Sequence, residues 1–76
     1  MPFVIHSLII DKATPLKEAK KFAKDILKKD KIPYRKTTDT YHFENIPTDM
    51  FNEKTFKSKI INDKITMVLG ELLKKN

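Results

Sequence analysis

One stretch of this chain carries a helical period strong enough to organise everything around it. Leu16, Ala19, Phe22, Ala23, Ile26 and Leu27 recur at spacings of three and four, which lays one apolar stripe along a helix. A helix this short is not stable alone, so its stripe must be covered by another element. The rest of the chain offers short β-branched and aromatic runs as the cover. The expected fold class is therefore α+β: a single amphipathic helix packed on an antiparallel sheet, in the order β-α-β-β-β-β.

The borders of the helix carry their own signals. Thr14 is the expected N-cap, with Pro15 at the first helical position, where a missing N–H costs nothing. Glu18 falls in the first turn, and Lys28, Lys29 and Lys31 gather at the end, in keeping with the helix dipole. Pro33 is the expected stop, because the residue before a proline avoids the α region.

Phe3 to Ile10 reads as a strand bounded by Pro2 and Asp11. Phe3, Ile5, Ser7 and Ile9 point one way, and Val4, His6, Leu8 and Ile10 the other. Both sides are mostly apolar, which places this strand inside the sheet. Tyr34 to Ile46 reads as a hairpin turning at Thr38-Asp39, with Tyr41 and Phe43 on one face and His42 and Glu44 on the other. Pro47 to Lys54 is a loop with short helical character near Met50-Phe51, and Met50, Phe51 and Phe56 are expected to plug the core. Phe56 to Ile61, Asn62-Asp63 and Lys64 to Leu69 make a second hairpin. A helix capped by Asp63 also fits Ile65, Val68, Leu69, Leu72 and Leu73. The strand reading is favoured, because Gly70 would cost that helix about 1 kcal/mol and Ile65, Thr66 and Val68 prefer strands. Beyond Gly70 a helical turn is expected, then a solvated tail of Lys74, Lys75 and Asn76.

Composition narrows the chemistry. The 76 residues hold no Cys, which excludes disulfide scaffolds, thiolate nucleophiles and Cys-ligated metals. A single small domain over residues 1–76 is expected, resting on its apolar core or on a partner subunit. The most apolar run is far shorter than the roughly 20 residues a membrane helix needs, and no signal-peptide pattern appears. A soluble, intracellular chain without membrane association is expected. The single Gly, Gly70, cannot build a phosphate loop, so no nucleotide cofactor is expected, nor any other.

The charge is the strongest functional signal. Sixteen Lys plus Arg against ten Asp plus Glu give +6 and a pI near 9.6, a balance typical of nucleic-acid binders. Pro15 to Lys31 alone carries seven Lys against three acids. Lys17, Lys21, Lys24 and Lys28 share one helix face, fit to lie across phosphates. That face is otherwise a solvated one, with Glu18 and Asp25 pairing locally to its lysines. Arg35 and Lys36, interleaved with Tyr34, Tyr41 and Phe43, suit base stacking, or else the aromatics serve the core. Lys57 and Lys59 extend the basic surface. Arg35 is the only Arg, and Lys lacks the guanidinium fork that reads bases bidentately. The expected attraction is therefore independent of sequence; the Lys bias, with nine Ile, also fits an AT-rich coding sequence.

Catalytic patterns are missing. His6 and His42 show no metal-ligand spacing. His6 and Ser7, as neighbours in a strand, point to opposite faces and cannot act as base and nucleophile. Asp11, Asp39 and Asp49 sit at turns. No enzyme is expected.

The runs Leu16-Lys17-Glu18-Ala19-Lys20-Lys21, Tyr41-His42-Phe43 and Phe56 to Gly70 resemble small uncharacterised proteins of bacteriophages and large DNA viruses. The resemblance covers most of the chain and carries no activity, so it transfers no functional residue. That pattern is richer in Arg after the Tyr, where this chain has His42, Phe43, Glu44 and Asn45. The resemblance implies a viral origin, strands in the last third, and a place in the host cytoplasm or virion.

Two partner classes follow. A basic accessory would bind nucleic acid through the helix face; four phosphate contacts on duplex imply a log–log salt slope of about −3.6. A protein-interaction module, such as a virion component or an inhibitor of a host factor, would use the sheet face away from the helix. That face has no expected cover. It is expected to be partly polar through Thr40, His42 and Glu44 on one strand and Lys57, Lys59 and Ile61 on another. Val4, Leu8 and Ile10 exposed there would invite a homodimer.

Overall fold

A computed structural model describes residues 3–73. Strand β1 (Phe3–Asp11) leads to helix α1 (Leu16–Leu27), then β2 (Tyr34–Lys36), β3 (Thr40–Glu44), a 3₁₀ turn (Thr48–Met50), β4 (Lys57–Asn62) and β5 (Ile65–Glu71). The fold is α+β: one helix on a five-stranded antiparallel open sheet, in the spatial order β2-β3-β1-β5-β4. The last segment is a strand, and Leu72 beyond it forms a β-bridge with Phe51 where a helical turn was expected. The tail Lys74, Lys75 and Asn76 lies outside the described residues.

The topology follows from two crossovers. β1 and β2 are each antiparallel to β3, so they run parallel to each other and need a long connection. That connection is α1, which crosses one face of the sheet. Leu8 pairs with Phe43 and Met67, and Ile10 with Tyr41 and Ile65, so these side chains share the helix-side face. Leu8, Ile10, Phe43 and Ile65 are buried there against Ala19, Ala23 and Leu27 of the helix. Leu8 and Ile10 are thus sealed beneath α1, not exposed on the far face.

The second connection, residues 45–56, runs from β3 to β4 across the opposite face. The far face is therefore covered within the chain over the half nearest the end of β5. Phe51 is buried, Phe56 is half-buried, and both pack edge-on against His6. Asn52 N–H donates to Glu71 O, and Leu73 N–H to Met50 O, which ties the connection to the end of β5. Met50, expected in the core, is 45% exposed instead. Met50 ends the 3₁₀ turn and Phe51 after it is extended, so the two side chains point to different sides and Phe51 takes the inner place.

Gly70 makes this cover possible. A Cβ there would stand 2.6 Å from Phe51 Cδ1 and 2.8 Å from Phe56 Cε1, inside any real contact distance. Gly70→Ala is accordingly expected to destabilise the chain by about 1–3 kcal/mol through overpacking. A urea melt checks it; an unchanged midpoint contradicts the close approach.

The ends of α1 differ from expectation. Pro15 is the N-cap, with φ −56° and ψ 145°, not the first helical residue. Thr14 makes no capping bond; it is buried, and its N–H closes a turn onto Asp11 O. The helix ends well before Pro33, at Lys28, which takes the left-handed conformation at φ 56°. Its N–H still donates to Lys24 O at 2.9 Å. A non-Gly residue at that angle is uncommon, and it turns the chain back toward the sheet. Phe22, counted in the apolar stripe, stands 41% exposed at the margin of the helix–sheet contact.

Candidate nucleic-acid interface

The left-handed turn at Lys28 brings residues 30–32 back alongside the helix. Between α1 and the β2 edge this leaves a groove of about 430 Å³. Its base is apolar: Ala23 and Phe43 lie fully buried beneath it, and Ile32, half-buried, presents the accessible part. Its rim is cationic: Lys20, Lys21 and Lys24 from the helix, Lys31 from the returning chain. Asp30 is the single carboxylate on the lining, and it pairs with Lys24 at 3.6 Å. Both partners are largely exposed, so the pair is weak and leaves Lys24 able to exchange partners.

Tyr34 closes the sheet side. Its ring stacks on Phe43 with centroids 5.2 Å apart and meets Tyr41 edge-on at 6.4 Å. Lys20 Nζ lies 5.3 Å from its centroid. Tyr34 stays 37% exposed, while Phe43 is buried and Tyr41 half-buried. Of the three hairpin aromatics, one is a surface platform and the others serve the core.

The basic residues named from the sequence divide among three places. Lys17, Lys21, Lys24 and Lys28 are all exposed, but only Lys21 and Lys24 border the groove. Lys28, at its left-handed turn, has left the helix. Among the described residues, Lys24–Asp30 is the only ion pair, so the expected pairing of Lys21 and Lys28 with Glu18 and Asp25 is not made. Lys36 pairs with Tyr41 and shares the helix-side face; Arg35 pairs with His42 and points to the far face. Lys57 and Lys59 lie on β4, the opposite edge of the sheet from β2, about 19 Å away across four strand spacings. Lys57 Nζ sits 4.7 Å from the centroid of Phe3. The basic residues therefore do not form one continuous surface.

Lys20 and Lys31 line the groove in addition to the lysines expected to bind. Lys20 stands four residues before Lys24, a helical neighbour that spacing alone reveals. Lys31 is brought in only by the left-handed turn.

A second cluster lies on the far face. The register of β1 against β5 slips between Ile5 and Ser7, a β-bulge at His6. The bulge overturns the expected alternation and swings His6 and Ser7 to one side. His6 Nδ1 and Ser7 Oγ share a hydrogen bond of 3.1 Å. His6 Nε2 and Thr48 Oγ1 share another of 3.1 Å, and Thr48 Oγ1 donates to Glu44 Oε1 at 3.5 Å. The chain of groups has the form of a nucleophile, a base and its orienting partners. Ser7 is 0% exposed, however, and Phe51 and Phe56 flank the ring, so no substrate reaches the hydroxyl. These bonds satisfy buried polar groups beneath the 45–56 crossover. Among the described residues, no three His, Asp or Glu side chains gather as a metal-binding set.

Burial pushes the His6 imidazole below its ordinary 6.5, against an opposing pull from Glu44. His42 is lowered by burial and then by Arg35 beside it, with His6 adding and Glu44 opposing. Both groups bind protons more readily in the unfolded chain. Their contribution to stability is therefore complete above about pH 6.5 and declines as pH falls below it. The urea midpoint is expected to hold near neutrality and to drop as pH falls below about 6.5. A midpoint that stays level there contradicts the burial of both imidazoles.

Comparison with protein-family models, with curated proteins and with solved structures finds no match to this chain. No helix among the described residues is long and apolar enough to cross a membrane.

Proposed function

We propose that this chain is a non-enzymatic, sequence-independent nucleic-acid-binding accessory whose contact surface is the groove between α1 and β2. One observation supports the reading: four lysines, Lys20, Lys21, Lys24 and Lys31, line one concavity whose lining holds a single carboxylate, Asp30. Such a cluster attracts phosphates by releasing their condensed counterions. Lys in place of Arg suits this task, because attraction to phosphates needs charge and not a bidentate fork. The reading keeps Lys17, Lys36 and Lys28 as flanking charge and assigns no contact to Lys57 and Lys59 on the far edge.

The test is a fluorescence-anisotropy titration of a labelled oligothymidylate of about 12 nucleotides at several salt concentrations. Four phosphate contacts to a single strand give a log–log slope of about −2.8, or about 50-fold weaker binding between roughly 50 and 200 mM salt. Absence of binding at low salt with micromolar protein ends the proposal.

A further inference from the structure

We infer that the groove takes one unpaired base, so that the ligand is a single strand and not a duplex; this rests on the function proposed above. Charge alone does not distinguish the two, since both present phosphates. The floor does. Half-buried Ile32 and exposed Tyr34 offer apolar surface beside the lysines, backed by the fully buried Ala23 and Phe43. A site for phosphate alone has no use for such a floor, because an anion gains nothing from apolar contact and loses its hydration there. A nucleobase is flat and apolar on its faces, with phosphates on either side along the strand. That matches an apolar floor with a cationic rim.

Tyr34 supplies the stacking partner. It is the only hairpin aromatic that remains exposed, and it borders the groove. Phe43 stacks on it at 5.2 Å and holds the ring in place. Lys20 Nζ, 5.3 Å from the ring centroid, rides on a flexible stem and can move off to a phosphate as a base arrives. The groove volume of about 430 Å³ falls in the range of small-ligand sites. Asp30, the lone carboxylate of the lining, repels phosphate and accepts a hydrogen bond from a base N–H. In a duplex the bases are stacked on each other and paired, so none is free to enter.

The experiment compares three ligands of equal phosphate count: oligothymidylate, the same backbone without bases, and a duplex. Oligothymidylate is expected to bind about 5- to 150-fold more tightly than the abasic backbone, the range for one stacked base. Tyr34→Leu is expected to bring oligothymidylate binding down to the level of the abasic backbone measured with the same variant. In the unmodified protein, intermolecular NOEs from thymine protons to Ile32 and Tyr34 give the same answer without any variant. Equal binding of the abasic and thymine strands, or tighter binding of the duplex, overturns the base site and leaves the polyanion reading standing. Failure of all three ligands to bind overturns both.

Discussion

Phe51→Ala leaves a chain without a cooperative thermal transition at room temperature. Phe51 is 2% exposed and stands at the centre of the far-face cluster, 4.8 Å from the ring centroid of His6 and 5.8 Å from that of Phe56. Truncating a buried Phe costs about 3–5 kcal/mol, through lost transfer energy and the cavity left behind. A domain of this size with no disulfide holds only about 3–5 kcal/mol in total. The loss therefore consumes the whole margin. It also unpins the 45–56 crossover and opens the His6–Ser7 pair to water. Circular dichroism on heating reads the result, with Met50→Ala as the control; Met50 is exposed, and its removal is expected to change stability by less than about 0.5 kcal/mol. A sharp transition for Phe51→Ala within about 5 °C of the parent contradicts a second core on the far face.

The largest functional effect is expected from replacing Lys20, Lys21, Lys24 and Lys31 together by Gln. All four are exposed, so the fold tolerates the change. The four phosphate contacts they make account for roughly a thousandfold in affinity for a single strand at about 50 mM salt. Binding of oligothymidylate is expected to fall by about that factor, and the salt slope to flatten toward zero. Replacing Lys57, Lys59 and Lys64 by Gln removes nearly as much charge from the other side of the molecule. That variant is expected to weaken binding by less than about threefold, through long-range attraction alone, since screening sets in within about 10 Å at ordinary salt. Equal losses in the two variants mean that net charge, and not the groove, does the binding. The anisotropy titration described above measures both.

The elements were legible because each had a clean period. The three- and four-residue spacing of Leu16 to Leu27 and the alternation of Tyr41, His42, Phe43 and Glu44 each specify an element and its buried side. Strand order was not legible: nothing in Arg35-Lys36 or Lys57-Ser58-Lys59 says that they end on opposite edges of one sheet. The bulge at His6 escaped notice because it arises from register against β5, some 60 residues away, and not from any residue in β1. The turn at Lys28 escaped for a related reason. Gly or Asn announces a left-handed turn, whereas Lys adopts it only under tertiary constraint. That turn builds the groove, so Lys31, one of the four lysines on its rim, lay beyond local reasoning. Phe51 and Phe56 were recognisable as core residues, but the side of the sheet they cover depends on Gly70 leaving room for them.

The most direct test of the groove as the binding surface is an amide chemical-shift map of the ¹⁵N-labelled protein titrated with oligothymidylate. Shifts concentrated at Lys20 to Lys24, Asp30 to Ile32 and Tyr34, with Lys57 to Lys59 silent, are the expected result. Shifts centred on β4, or spread evenly over every lysine with the groove unmoved, would contradict it.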